Sequence, residues 1–139
     1  MEINSRREMV INQTLLDELT AQARASGRLR QELDMRNSPE DGSQRMLVAM
    51  EPGTVVPVHR HQDTSKTVLM VRGHLILKFF DSDGREQECF EMYPIGDVPM
   101  VNIPVGQWHT LESLESGTVV FIAKDGFFKP VSEEDVLSF

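Results

Sequence analysis

Eight short, β-prone runs rich in apolar residues follow one another between residues 45 and 124. The runs are RMLVAME, TVVPVHRH, KTVLMVRG, LILKFF, ECFEMY, VPMVNI, QWHTLES and TVVFIAK. Turns rich in glycine, proline, aspartate and serine separate them, and no helical pattern lies between them. Short strands that follow one another this closely predict an antiparallel sandwich or barrel rather than a doubly wound sheet.

One helical pattern precedes these strands, from residue 14 to residue 26. Thr14 and Asp17 resemble a capping box at its start, and Gly27 supplies a stop at its end. The pattern predicts one amphipathic helix whose apolar stripe packs on the outside of the strands. The residues that recur at helical spacing are Leu15, Leu16, Leu19 and Ala23.

Strand alternation also predicts which side chains form the core. Because successive side chains of a strand point to opposite faces, every second residue of an apolar run faces the interior. The residues expected inside are Val68, Met70, Leu75, Leu77, Leu111 and either Val119 or Val120.

Length and composition are those of one ordinary domain. The 139 residues are 40% hydrophobic, a length and composition that suit one buried core rather than two. We expect a single domain over 1–139. It comprises a helix and extension over 1–44, a jelly-roll barrel over 45–124 and an acidic surface tail over 125–139.

Charge and cysteine content exclude several functions. The net charge is −8 without a dense basic stripe, so neither nucleic acid nor an anionic membrane is an expected partner. Cys89 is the only cysteine, which rules out an intramolecular disulfide and a zinc site built from several cysteines. The first thirty residues contain no apolar stretch long enough for a signal peptide or a membrane span, so we expect a cytoplasmic protein.

His59 and His61 are the first candidate metal ligands. In a strand their side chains share one face about 7 Å apart at the backbone, whereas Arg60 points the other way. Two imidazoles alone hold a metal weakly, so a third ligand is required.

The third ligand is sought among the two remaining histidines. His74 alternates with Leu75, Leu77 and Phe79, which predicts that it faces outward. His109 follows a Pro-Val-Gly turn and enters a strand that carries Gln107, His109 and Leu111 on one face. His109 is therefore the better candidate.

These residues stand in a frame that resembles the first cupin motif. The frame is Gly53, five residues, His59-Arg60-His61, four residues, Lys66, six residues, Gly73. Pro104-Val105-Gly106, two residues and His109 resemble the second motif. Outside the motifs, nearly the whole chain is similar to the cupin-fold metalloproteins of the WbuC family. The resemblance implies a mainly β, RmlC-like jelly roll with one short N-terminal helix, and a metal held near the barrel mouth by three histidines and a glutamate. The family's function is loosely linked to surface-polysaccharide gene clusters.

Carried over by position, the resemblance implies that His59, His61 and His109 are metal ligands. Zinc, nickel or iron suits a set of three imidazoles. The position of the family's glutamate is Lys66 here, and the asparagine that often closes the second motif is Ser113. An ammonium group beside a divalent cation is unfavourable. We therefore expect Lys66, with Gln107, to contact an anionic ligand rather than the metal.

Three functions fit these residues. The first is a metal-dependent cupin enzyme acting on a small anionic metabolite or sugar derivative, and the second is a metal-free, non-catalytic cupin that binds a small ligand at a degenerate metal site. A metal-free sugar epimerase is weaker, because Tyr93 is the only tyrosine and precedes a turn. We also expect a homodimer, because jelly-roll cupins commonly pair.

Overall fold

The computed structural model describes residues 9–138. One helix, α1 (Gln13–Ala25), precedes eight strands, and a short 3-10 helix (Glu133–Asp135) follows them. The strands are β1 (Arg30–Asp34), β2 (Ser43–Met50), β3 (Lys66–Arg72), β4 (Leu75–Phe80), β5 (Glu86–Met92), β6 (Met100–Ile103), β7 (Trp108–Ser113) and β8 (Val119–Asp125).

The strands form two antiparallel sheets of unequal size. The larger has the order β1-β2-β8-β3-β6 and the smaller the order β5-β4-β7. The sheets are not closed into a barrel, but their order is that of a jelly-roll sandwich, and the predicted fold class is confirmed.

The core lies between the two sheets and contains the residues that strand alternation predicts. Val68, Leu75 and Leu77 are fully buried there. Of the two alternatives in β8, Val120 faces this core, and Val119 packs on the opposite side of the large sheet, against the helix. The other core residues include Val48, Met50, Met70, Met92, Ile103, Leu111 and Ile122.

Helix α1 covers the outer face of the large sheet. Leu16, Leu19 and Ala23 are buried against Leu33 and Leu47, as the apolar stripe predicts. The predicted capping box is wrong, because the N-cap is Asn12, whose side chain accepts a hydrogen bond from Leu15 N at 2.9 Å. The helix ends at Ala25, one residue before its predicted end, with Ser26 as the C-cap and Gly27 directly after it.

Two segments differ from the predicted strands. Residues 30–34 form β1, which has a single fully buried apolar residue, Leu33, and therefore shows no clear alternation. Residues 54–61 do not form a regular strand. They are held by isolated bridges from His59 to His109 and to Val136.

The C-terminal residues pack against that irregular segment. Arg60 N donates to the Asp135 carbonyl at 3.0 Å, and Leu137 N donates to the Val58 carbonyl at 2.9 Å. The Arg60 guanidinium also pairs with the Asp135 carboxylate at 2.9 Å and lies 4.5 Å from the centre of the Trp108 ring. The histidines of the irregular segment are therefore braced by β7 on one side and by residues 135–137 on the other. No helix among residues 9–138 is long and apolar enough to cross a membrane.

Candidate metal centre

Three histidines meet at one end of the sandwich. His59 and His61 come from the irregular segment and His109 from β7, and one ring nitrogen of each lies within 4.8 Å of the other two. Backbone hydrogen bonds of 3.0 and 2.9 Å between His59 and His109 hold the two segments together. Tetrahedral zinc would bring its nitrogen ligands about 3.3 Å apart, so the imidazoles need to close by about 1.5 Å at most.

Hydrogen bonds fix the orientation of two of the three rings. Nδ1 of His59 lies 2.8 Å from the Pro57 carbonyl, and Nδ1 of His109 lies 2.9 Å from the Gln107 carbonyl. A carbonyl oxygen only accepts, so both Nδ1 atoms carry the proton and both Nε2 atoms present a lone pair. Metal-binding histidines commonly have this second hydrogen bond, which orients the ring.

The third ring carries an unpaired polar atom. Nε2 of His61 is buried and has no hydrogen-bond partner among residues 9–138. A buried polar atom without a partner costs free energy, which a bound cation would offset. The three nitrogens therefore fit a divalent metal of the zinc, nickel or iron type.

The site keeps its imidazoles neutral. Burial, followed by the charge of Lys66, lowers the pKa of His59 to about 4, that of His61 to about 3 and that of His109 to about 2. Neutral imidazole is the form that binds metal, so these shifts leave the ligands ready at neutral pH.

Lys66 lies in the same group, on the first residue of β3. Its Nζ is 3.4 Å from Nε2 of His109, and only 6% of the residue is exposed. Burial, followed by the charges of Lys124 and Arg30, lowers the pKa of Lys66 to about 7. The lysine thus stands beside Nε2 of His109, a candidate ligand atom, at the position where the cupin frame has its carboxylate.

Two cavities border this group. One of about 370 Å³ touches His59 and Lys66 and lies over the apolar interior. The other, of about 620 Å³, touches His61 and is bounded by the C-terminal residues. Lys124 lines both, although its position at the end of a strand gives no sequence signal of a site.

Other residues considered from the sequence lie elsewhere. His74 bonds Glu91 at 2.8 Å and stacks on Tyr93, so it faces outward as predicted. The Gln107 amide donates to the carbonyls of Phe80 and Trp108, and its predicted contact with a ligand stays a prediction.

The carboxylates near the motifs do not join the histidines. Asp63 pairs with Lys129 at 2.9 Å, and Glu112 is exposed. Among residues 9–138 the group of potential ligands that meets here consists of the three histidines alone.

Comparison with known protein families matches residues 11–92, more than half of the chain, to a family described as a domain of unknown function (DUF6016). The chain belongs to the DUF6016 family. No curated protein matches this member of the family.

Solved structures show that its fold is that of the cupins. KdgF from Halomonas sp. superposes with a TM-score of 0.57 at 19% identity, over 71% of this chain and 82% of KdgF. The cupin domain of Cnp3 from Schizosaccharomyces pombe gives 0.56 at 12% identity, over 70% of this chain and 64% of that domain. The capsular polysaccharide assembling protein CapF from Staphylococcus aureus gives 0.59 at 25% identity, over 76% of this chain but only 28% of CapF.

Proposed function

We propose that this DUF6016 protein is a cupin that binds a divalent metal through His59, His61 and His109 and holds a small anionic ligand beside it. The observation that carries the proposal is the unpaired Nε2 of His61, buried next to two Nε2 lone pairs that hydrogen bonds have already oriented. Three imidazoles with open positions make a competent site for zinc, nickel or iron.

Among the described residues no carboxylate joins the three histidines, and this determines which further ligand a bound metal would favour. Three neutral imidazoles leave the full double charge of the metal, and Lys66 adds a further positive charge when it is protonated. An anion entering an open position is favoured by both. When bound, the metal would supply a Lewis acid, and Lys66 would orient the anion that reaches it.

The cupin motifs and the N-terminal helix of this chain resemble those of the WbuC family, and this resemblance supports a metalloprotein of that type. The likeness to CapF agrees with a role near surface polysaccharides. Because the chain spans 28% of CapF, the activity of that whole protein is not carried over.

Calorimetric titration of chelator-treated protein with zinc, nickel and ferrous iron tests the proposal. We expect about one metal per chain for the wild type and affinity reduced at least about tenfold in His109→Ala and His61→Ala. His74→Ala is the matched control, because His74 lies outside the group. Equal affinity in His61→Ala, His109→Ala and His74→Ala, with folding checked by circular dichroism, would refute the metal site.

The position of Lys66 favours a second candidate, a non-catalytic, metal-free cupin. Its Nζ can donate to Nε2 of His109, which satisfies the atom that a metal would otherwise use. This protein would bind its ligand through Lys66 and the imidazoles alone. Elemental analysis of several preparations separates the two candidates, since less than about a tenth of a metal per chain fits only the second.

We further propose that the protein is a cytoplasmic homodimer. Two exposed edge strands, β5 and β6, offer unpaired backbone groups for association. Light scattering that gives a monomer mass at every concentration would refute the dimer.

A further inference from the structure

Lys66 and Lys124 lie directly opposite each other on neighbouring strands. The β3–β8 pairing places Lys66 against Lys124 and continues with Thr67 against Ala123. Directly opposite residues of an antiparallel pair share a face, so both lysine side chains leave the large sheet on the same side, and both line the cavity of about 370 Å³. Like charges in this arrangement destabilise a sheet.

Among residues 9–138, no acidic side chain pairs with either lysine. The Lys124 side chain makes no hydrogen bond or ion pair there, and the Lys66 amine lies within hydrogen-bond distance of Nε2 of His109. Of the described residues that line the cavity of about 370 Å³, Glu32 is the only acid. Glu32 is already paired with Arg28 at 2.9 Å and with Arg30 at 3.3 Å.

Arg30 adds an incompletely satisfied donor to the same cavity. Its Nε is buried and, although it lies 3.3 Å from Glu32, the geometry is not that of a hydrogen bond. In a protein with a net charge of −8, one cavity thus gathers two arginines and two lysines against a single carboxylate. Such a concentration of positive charge is costly unless an anion enters it.

Apart from His59, the rest of the cavity wall is apolar. Its side chains come from the inner face of β2 and from the core, namely Met46, Val48, Met50, Leu111 and Ile122. These side chains offer no strong hydrogen-bond donors or acceptors to the hydroxyl groups of a sugar. A volume of about 370 Å³ is in the range of sites for small organic molecules.

We propose that this cavity binds a small carboxylate with an apolar body, its oxygen atoms between Lys66 and Lys124 and its hydrocarbon part against the wall of β2. The inference rests on the proposed function, because it specifies the anionic ligand of the same site. It narrows the ligand from anionic metabolites in general to aliphatic carboxylates, and it gives Lys124 and Arg30 a role in binding them.

Calorimetric titration with acetate, butyrate and inorganic phosphate tests the inference, on chelator-treated and on zinc-loaded protein. Two additional methylene groups should make butyrate bind about tenfold more tightly than acetate. Lys124→Met should weaken butyrate binding about tenfold or more. Lys78→Met is the matched control, because Lys78 pairs with Glu86 away from the cavity.

The thermal stability of Lys124→Met gives a second measurement, which should change in the opposite direction to its butyrate affinity. Removing one of two opposed ammonium groups should raise the melting temperature of the ligand-free Lys124→Met protein while its butyrate affinity falls. A purely structural lysine would not combine a gain in stability with a loss of binding. Unchanged butyrate affinity in Lys124→Met, or phosphate bound more tightly than butyrate, would overturn the inference.

Failure of the metal site and failure of the carboxylate site are distinguishable. Butyrate binding that depends on Lys124 in protein that takes up no zinc would refute the metal and keep the carboxylate site. Zinc binding that depends on His109, without measurable butyrate binding, would refute the carboxylate site and keep the metal site.

Discussion

Lys66 Nζ lies 3.4 Å from Nε2 of His109, the ring nitrogen left free when Nδ1 donates to the Gln107 carbonyl. One basic side chain therefore stands at the atom that would bind a cation. The Lys66 amine and a bound cation would compete for the same lone pair of His109. The first two predictions concern the position of Lys66.

Replacing Lys66 by glutamate should raise zinc affinity by about tenfold or more. The substitution removes a repulsive charge and restores an oxygen ligand at the position where the cupin frame has one. Lys66→Met, which only removes the charge, should give a smaller increase. Zinc titration of both variants, with Lys78→Met as control, measures the effect, and lower affinity in Lys66→Glu would contradict it.

Lys66 should make stability rise with pH on the alkaline side. Its folded pKa is about 7 and its ordinary value 10.5, so between these values the unfolded chain holds a proton that the folded chain has released. The free energy of unfolding of metal-free protein should therefore increase from pH 7 toward 10, by about 1.4 kcal/mol per pH unit at most. Lys66→Met should lack this increase. Urea unfolding at several pH values compares the two proteins.

The histidines should make metal-free protein unfold on the acid side. Their folded pKa values of about 4, 3 and 2 lie below the ordinary 6.5, so below pH 6.5 the unfolded chain takes up protons that the folded chain excludes. Stability should fall from pH 6.5 toward 4, by up to about 1.4 kcal/mol per pH unit for each histidine. The same urea titrations measure this slope. A smaller slope is expected in His61→Ala, and an equal slope would contradict the shifts.

Gly73 should not tolerate a side chain. Its φ is +92°, and a Cβ there would lie 2.5 Å from Cα of Thr118. Gly73→Ala should cost about 3 kcal/mol or more, because the obstacle includes backbone. Gly126→Ala is the control, since Gly126 has a similar φ of +84° with open space around it and should lose only about 1 kcal/mol. Thermal unfolding of both variants gives the comparison, and equal losses would exclude the clash as the cause.

Arg60→Ala should release the C-terminal residues from the histidine segment. The substitution removes the ion pair with Asp135 and the contact with the Trp108 ring. Hydrogen exchange at the amides of residue 60 and Leu137 should accelerate, because these amides donate across the junction. Exchange at Leu77, in the core of the small sheet, should remain unchanged. Equal acceleration at both places would indicate global destabilisation instead.

Much of the sandwich follows from alternation. In β3 and β4 every second residue of the first part of the strand is buried, so the period-2 rule picked out Val68, Met70, Leu75 and Leu77 from apolar runs. β1 could not be predicted as a strand in this way, because its charged residues are ordered by pairing with β2 rather than by their own burial pattern. The segment 54–61 has strand-like composition, yet apart from the bridges at His59 it lacks a partner strand among the described residues.

The candidate site was only partly predictable. The spacing of His59 and His61 and the turn before His109 point to a metal, and these side chains do come together. Lys124 was missed because its opposition to Lys66 depends on the pairing of β3 with β8, a long-range register that no local motif encodes. Residues 135–137 were expected in a surface tail, and their hydrogen bonds to Val58 and Arg60 likewise carry no sequence signal.

The irregular course of the chain at His59 and His61 has a consequence for metal choice. His109 belongs to β7, whose ladder with β4 fixes its backbone, whereas the other two histidines follow a segment joined to its surroundings by a few hydrogen bonds. Those hydrogen bonds brace His59 and His61 without tying them into a sheet ladder, so we expect their nitrogens to shift by tenths of an ångström more readily than that of His109. We expect a centre of this kind to adapt its bond lengths to ions of different radius, so that cellular supply rather than cavity size selects its occupant.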